Sequence, residues 1–206
     1  YDAKSTTQTA DSIKSLITSA ITTFNVNNLQ EFDSIFRHSK FIETINKVDD
    51  SILSNITTVK LHKSFTAVTT GSTSYTVNYN NALYNPHSGH NASAGGILTS
   101  SGFKISGDAT NEYFLDEDGA GNVRLYYLVG TTRTYSNSSQ GTINYATGVV
   151  TINSLNITSV SNVDGATSTA VRLTVIPSSV DVIPVRNQVL EIDETNTTVS
   201  VSADTY

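Results

Sequence analysis

Cysteine, methionine and tryptophan are absent from this chain of 206 residues. Without cysteine there is no disulfide framework, no thiolate zinc site, no iron–sulfur cluster and no cysteine nucleophile. Proline occurs only three times, and no linker rich in proline or glycine divides the sequence. Long apolar runs are missing as well: the longest, such as residues 126–129, reach four or five residues, where a bilayer-crossing helix needs about 20. No membrane partner is expected. A chain that opens at Tyr1 and holds no methionine is read as a piece of a longer polypeptide.

Charge is also scarce. Lysine and arginine number 12 against 18 acidic residues, a net charge of -6 and a pI near 5.0. No basic block exceeds Arg37, His38 and Lys40, so nucleic acid is excluded as an expected partner. Charged residues make up 15% of the chain, where about 25% is usual. Serine, threonine and asparagine take over the polar role at about 37% of the chain. Threonine favours pleated, half-buried surfaces, while serine and asparagine favour turns. Many short strands joined by tight loops are therefore expected. Five Asn-x-Ser/Thr sequons, at Asn55, Asn91, Asn137, Asn156 and Asn196, match what chance gives in so biased a composition and carry no glycosylation signal.

Periodicity splits the chain. Over residues 9–24, Ile13, Leu16, Ile17, Ala20, Ile21 and Phe24 recur at steps of three and four, the stripe of an amphipathic helix. Thr9 or Asp11 can cap it, and the asparagines of 25–28 end it. Leu29, Phe32, Ile35 and Phe36 predict a short helix or irregular stretch. Ser39 is placed to cap a second helix that buries Phe41, Ile42, Ile45 and Val48 and ends at Asp49 and Asp50.

After Asn55 the period becomes two. Val59, Leu61 and Phe65, then Tyr75, Val77 and Tyr79, alternate with polar residues as half-buried strands do. Residues 80–96 read as a loop. Residues 113–115 and 123–129 flank an acidic, glycine-bearing turn, and 142–145 and 149–152 flank the turn through Gly148. Val171, Leu173 and Val175 form another strand, ended by Pro177. Residues 180–183, 189–192 and 198–201 are the remaining strand candidates, with Pro184 keeping one of them off a central position. The expected fold is α+β: N-terminal helices packed on a mostly antiparallel or mixed β-sheet, with a strand-rich C-terminal two thirds. Residues 1–65 form the helical segment with the first strand, and residues 66–206 the β-rich region.

Four groups of residues bear on chemistry. His87 and His90 sit in a Gly/Ser loop and could contribute to a zinc or copper site if a third ligand arrived, but solvated loop histidines are the simpler reading. Asp116, Glu117, Asp118, Gly119 and Asn122 hint at a calcium loop. Ala120 stands where an EF-hand wants an oxygen ligand and no glutamate follows at the twelfth position, so a plain acidic hairpin turn is expected. Serine abounds, yet no Gly-x-Ser-x-Gly elbow accompanies the four histidines. Glu112, Asp116 and Asp118 could supply paired carboxylates for glycoside hydrolysis, a reading weakened by the absence of tryptophan platforms. Gly95-Gly96 and Gly119-Ala120-Gly121 lack the lysine and the following helix of a phosphate loop. No catalytic, cofactor-binding or metal residue is expected, and no cofactor.

Three stretches carry a resemblance: residues 32–55 (FDSIFRHSKFIETINKVDDSILSN), 141–148 (GTINYATG) and 175–190 (VIPSSVDVIPVRNQVL). In this order they resemble the C-terminal part of the baseplate wedge protein of T-even-type contractile-tail phages, within the baseplate J-like group. The resemblance implies a structural virion protein of the phage tail baseplate that joins neighbouring wedges into a ring. Its implied partners are itself, through dimer or ring contacts, and other wedge and hub proteins. Within these stretches Phe32, Phe36, Phe41, Ile42 and Ile45 read as core, Gly148 as a turn residue, and Pro177 and Pro184 as strand punctuation. Arg37, Lys40 and Arg186 stand out as charges that could pair across a contact. The alternative is a carbohydrate-binding β domain of a phage or bacterial adhesin, since ten tyrosines could stack on sugars while amides pair with hydroxyls.

Overall fold

The computed structural model describes residues 1–90, 96–185 and 187–204. Arg186, one of the three charges singled out above, lies outside the described residues. The chain divides into two compact units, Tyr1–Thr58 together with the segment from Val180 onward, and Val59–Ser179.

In the first unit α1 spans Ala10–Asn28 and α2 spans His38–Asn46. Thr9 caps α1 as expected, its Oγ1 accepting the Ser12 N–H at 3.1 Å. The helix does stop within the asparagine run, but at its last residue, Asn28, so the run is taken into the helix before it ends. Asn28 donates to the Phe24 carbonyl, and Asn25 is buried and bonded to the C-terminal segment, so tertiary partners outweigh the poor helix propensity of this run. Ile13, Ile17, Ile21 and Phe24 are buried, whereas Leu16 is 43% exposed. The buried stripe is narrower than the sequence implied.

Residues 29–37 are irregular. Leu29 and Phe36 are buried there, but Phe32 is 70% exposed and is not a core residue. It precedes Asp33, whose positive φ of 62° turns the chain. Ile42 is half-buried. Ser39 does not cap α2, which begins one residue earlier with no capping side chain of its own at Arg37. The carboxylate of Asp181 takes that place: Oδ1 accepts the His38 N–H at 2.9 Å and Oδ2 the Arg37 guanidinium at 3.0 Å. Phe24, Phe36 and Phe41 pack with ring centroids 5.2 to 6.1 Å apart. Val182 exchanges two backbone hydrogen bonds with Phe36, each 3.0 Å.

The three strands expected over 180–201 do not form. Val182 and Asp204 make isolated bridges to Phe36 and Asp2, and the rest of the described segment carries no strand. Two causes are visible. Pro184 has no N–H to give a ladder. The backbone is also captured by side chains: Asn25 Oδ1 accepts the Ile192 N–H at 2.9 Å, and Asp193 accepts the Asn196 N–H at 3.1 Å. Glu194 adds bonds from Thr22 at 2.6 Å and Asn25 at 3.2 Å, which hold the segment along α1.

Among the described residues the second unit holds ten strands in two antiparallel sheets, with the smaller ordered β1-β10-β3 and the larger β2-β8-β7-β6-β5-β4-β9. In chain order they are β1 Leu61–Thr66, β2 Thr73–Asn78, β3 Thr99–Ser100, β4 Phe103–Ile105, β5 Asp108–Glu117, β6 Asn122–Val129, β7 Thr132–Asn144, β8 Val149–Leu155, β9 Ile157–Val160 and β10 Ala170–Val175. The alternating runs at 75–79 and 171–175 and the hairpin arms at 123–129 and 149–152 lie on strands or at their ends, whereas the run expected from Val59 becomes a strand only from Leu61. Their inward residues join one apolar cluster drawn from both sheets, centred on Phe103, Leu115, Val123, Val150, Ile152, Ile157 and Leu173, and no helix residue belongs to it. The α+β class is as expected. Among the described residues no helix is long and apolar enough to cross a membrane.

Two glycines are required by geometry. Gly148 turns β7 into β8 with φ of 72°, and a Cβ there would stand 2.2 Å from the Asn81 carbonyl oxygen. Gly141 lies in β7 between Val123 of β6 and Ile152 of β8, with the β8 backbone too close for any side chain.

Candidate functional site

The acidic hairpin is the most densely bonded part of the second unit, and it is not a plain solvated turn. Asp116 and Glu117 end β5 and point to opposite faces of the sheet, as consecutive strand residues must, yet both are fully buried. Asp116 lies directly opposite Arg124 of β6. Its carboxylate accepts Arg124 Nε at 2.8 Å and Nη2 at 3.1 Å, Arg133 Nη1 at 2.6 Å and the Tyr135 hydroxyl at 2.9 Å. The guanidinium groups are themselves covered by rings. Arg124 lies 4.3 Å from the centroid of Tyr135, and Arg133 lies 4.7 Å from that of Tyr126. Burial raises the Tyr126 phenol, and burial with the Asp116 carboxylate raises that of Tyr135, so both stay neutral.

On the opposite face Glu117 accepts the Ile97 N–H at 2.9 Å, the Gly119 N–H at 2.5 Å and the Tyr145 hydroxyl. Burial, and next the bonded Glu117 carboxylate, push the Tyr145 phenol well above its ordinary value. Tyr145 therefore remains a donor. Asp118 closes the turn by accepting the Ala120 and Asn122 N–H groups at 2.8 and 3.0 Å and the Asn122 side chain at 2.7 Å. These bonds occupy the oxygens that a calcium ion or a glycosidic bond would need. Glu112 stands apart on β5, bonded by the Ser161 hydroxyl. The three carboxylates weighed for hydrolysis are thus dispersed over separate hydrogen-bond sets.

The Asp118 turn has a consequence for pH. Burial pushes its carboxyl up, but the Asn122 and Ala120 hydrogen bonds and the Arg124 charge outweigh this and hold it below the ordinary aspartate value. A depressed folded-state pKa stabilises the fold above the unfolded value of about 3.9 and loses that contribution as pH falls through the folded one. The ¹³C carboxyl titration of Asp118 is expected to have its midpoint below that of an unstructured aspartate. Asp118→Asn should flatten the fall of melting temperature below about pH 4. A midpoint at or above the free value contradicts the arrangement.

His87 and His90 lie beside this hairpin, at the rim of an open groove of about 610 Å³ lined by Asn85, His87, the 119–121 turn and Tyr145. Both imidazoles are exposed. Their rings meet edge to face with centroids 4.9 Å apart. Among the described residues no three His, Asp or Glu side chains converge as metal ligands do. Of Gly95-Gly96, Gly95 lies outside the described residues; Gly119 and Gly121 shape the hairpin turn with φ of 74° and 102°. Of the tyrosines considered for sugar stacking, Tyr75, Tyr79, Tyr113 and Tyr126 are buried, while Tyr84 and Tyr135 are about two-fifths exposed.

The first unit presents a different kind of site. Leu53 is 60% exposed, Ile56 97%, Val180 50% and Ile183 55%, in addition to Phe32. Ile56 lies in a stretch, residues 53–60, that has no secondary structure and no strand partner. Of the charges singled out, Arg37 pairs with Asp181 at a largely exposed position and Lys40 donates to Asn28 Oδ1. Surface pairs of this kind contribute at most about 1 kcal/mol. Sequence reasoning missed the Arg124, Arg133, Tyr135 and Tyr145 partners of the acidic hairpin. One signal was present: pairing outward from the turn sets Asp116 opposite Arg124.

Residues 1–64 match the family model described as baseplate structural protein gp6, C-terminal domain III. The match covers α1, α2, the exposed 53–60 stretch and the start of β1. No curated protein matches the chain. The match spans 64 of the 206 residues and supports a structural role in the phage tail baseplate of the virion; a structural family points away from catalysis.

Proposed function

We propose that the chain joins baseplate wedges into a ring through protein–protein contacts made by its first unit, including contacts with further copies of itself and with other wedge and hub proteins, and that it is not an enzyme. The observation that carries this reading is Ile56. A β-branched aliphatic side chain that is 97% exposed, on a stretch without secondary structure within the family-matched residues, offers apolar area of the kind buried at the core of an interface. Leu53 and Phe32 add apolar area in the same unit. The reading is supported further by the acidic hairpin, whose carboxylates hold the sheet together and leave no acid–base pair free in a cleft. The alternative, sugar binding through tyrosines, has less support, because Tyr75, Tyr79, Tyr113 and Tyr126 are buried in the fold.

Isolated domains are expected to associate weakly, because in a ring the effective concentration supplies much of the affinity. Sedimentation equilibrium from micromolar to several hundred micromolar should show reversible association of the chain. Ile56→Asp should weaken it at least about tenfold, or about 1.4 kcal/mol, with an unchanged melting curve. A strictly monomeric chain over that range removes self-association. Unchanged association of the variant moves the contact away from this stretch.

A further inference from the structure

We infer that His87 and His90 form a two-histidine site for a tetrahedral divalent cation, Zn²⁺, at the rim of the groove beside the acidic hairpin. A metal site needs ligands held in place, which a Gly/Ser loop by itself does not offer. The structure removes that objection for residues 84–90. The Gly89 N–H donates to the Gly119 carbonyl at 2.9 Å and the His90 N–H to the His87 carbonyl at 3.2 Å. Asn85 Nδ2 reaches the same Gly119 oxygen at 3.4 Å. The ring of Tyr84 packs edge-on against His90 with centroids 5.7 Å apart. Two anchors therefore tie the histidine turn to the β5–β6 hairpin.

The nitrogens are arranged as ligands. His90 Nδ1 and His87 Nε2 are 3.3 Å apart. Two nitrogens bound to a tetrahedral zinc at about 2.05 Å stand about 3.3 Å from each other, whereas adjacent nitrogens in a square-planar copper site stand about 2.8 Å apart. The other nitrogen of His87, Nδ1, is 3.3 Å from the Ser88 carbonyl. A carbonyl can only accept, so this contact makes His87 Nδ1 the protonated nitrogen and leaves Nε2 to accept the His90 Nδ1–H; Zn²⁺ takes the place of that shared proton, which passes to His90 Nε2 or to water, while the Ser88 carbonyl keeps the His87 ring oriented. A second observation marks the groove as lacking a donor. Asn85, which lines the groove, has a buried Oδ1 without a hydrogen-bond partner among the described residues. With no third protein ligand among the described residues, water completes the coordination and the affinity is modest. The fold does not require the ion.

The test is a Zn²⁺ titration of the whole chain by calorimetry near neutral pH, with imidazole nitrogens followed by long-range ¹H–¹⁵N spectra. One Zn²⁺ per chain is expected to bind saturably below about 1 mM, moving the resonances of His87 Nε2 and His90 Nδ1 while leaving His38 and His62 in place. His87→Ala and His90→Ala are exposed changes that keep the fold, and each should weaken binding at least tenfold. Absence of saturable binding overturns the site. So does unchanged affinity in the double variant, or saturation by Cu²⁺ without any by Zn²⁺.

Discussion

Asp116→Ala is expected to destabilise the second unit by about 3–5 kcal/mol, the range measured when one partner of a buried ion pair is removed. The Asp116 side chain is fully buried and that of Arg124 is 8% exposed, so neither charge can be resolvated by a small movement. Removal of the carboxylate leaves two guanidinium groups and the Tyr135 hydroxyl facing an empty volume. The total stability of a domain is about 5–15 kcal/mol, and the variant should unfold at a much lower urea concentration. Asp116→Leu combined with Arg124→Met is the informative companion, because replacing a buried pair by apolar groups of similar size is often neutral. The double variant should regain at least half of the loss. If Asp116→Ala stays within about 1 kcal/mol of the parent in urea unfolding, the network does not hold the hairpin.

The sheet was legible in the sequence where one face is buried and the other wet. The runs at 75–79 and 149–152 alternate because β2 and β8 each turn one face to the apolar cluster. What alternation could not show was the end of the chain. Val199 and Val201 alternate with hydroxyl residues as a strand would, yet the decisive groups before them are the side chains of Asn25 and Asp193, which accept backbone N–H groups, and of Glu194, which accepts the Thr22 hydroxyl. Short β2-like patterns are weak signals when side chains offer the backbone other partners. The same limit explains Asn25. A buried amide inside a helix reads as a helix stop until its distant partners are known.

The candidate sites were legible to different depths. The acidic turn was found as a turn, but burial of two successive carboxylates cannot be inferred from a strand's own pattern, since alternation puts one of them on each face. It requires Arg133 and Tyr135 from β7 to cover one face and Ile97 and Tyr145 to meet the other. The exposed apolar residues of the first unit were misread in the opposite direction. Phe32 was counted as core because aromatic residues usually are, and only the turn at Asp33 shows otherwise. An apolar residue outside the core is where local pattern and fold disagree, and such disagreements concentrate at functional surfaces.

Ile13→Asp and Leu16→Asp separate the helix seen in the structure from the wider stripe written in the sequence. Both residues belong to that stripe, but Ile13 is 0% exposed and Leu16 43%. An unpaired carboxylate at position 13 gives up the burial of an isoleucine and must either desolvate or disrupt the packing around it, at a cost of about 3 kcal/mol or more. At position 16 the charge can remain in water, and the cost should stay below about 1 kcal/mol. The larger effect should extend beyond the helix. Thr22 and Asn25 of α1 hold Glu194 and Ile192, so a helix displaced at Ile13 should release the C-terminal segment as well. Amide hydrogen exchange is the direct measurement. In Ile13→Asp protection should fall both in α1 and at the Ile192 amide; in Leu16→Asp it should fall in neither. Equal melting temperatures for the two variants contradict the buried face assigned to α1. Loss of protection in α1 with the Ile192 amide still protected contradicts the dependence of the C-terminal segment on the helix.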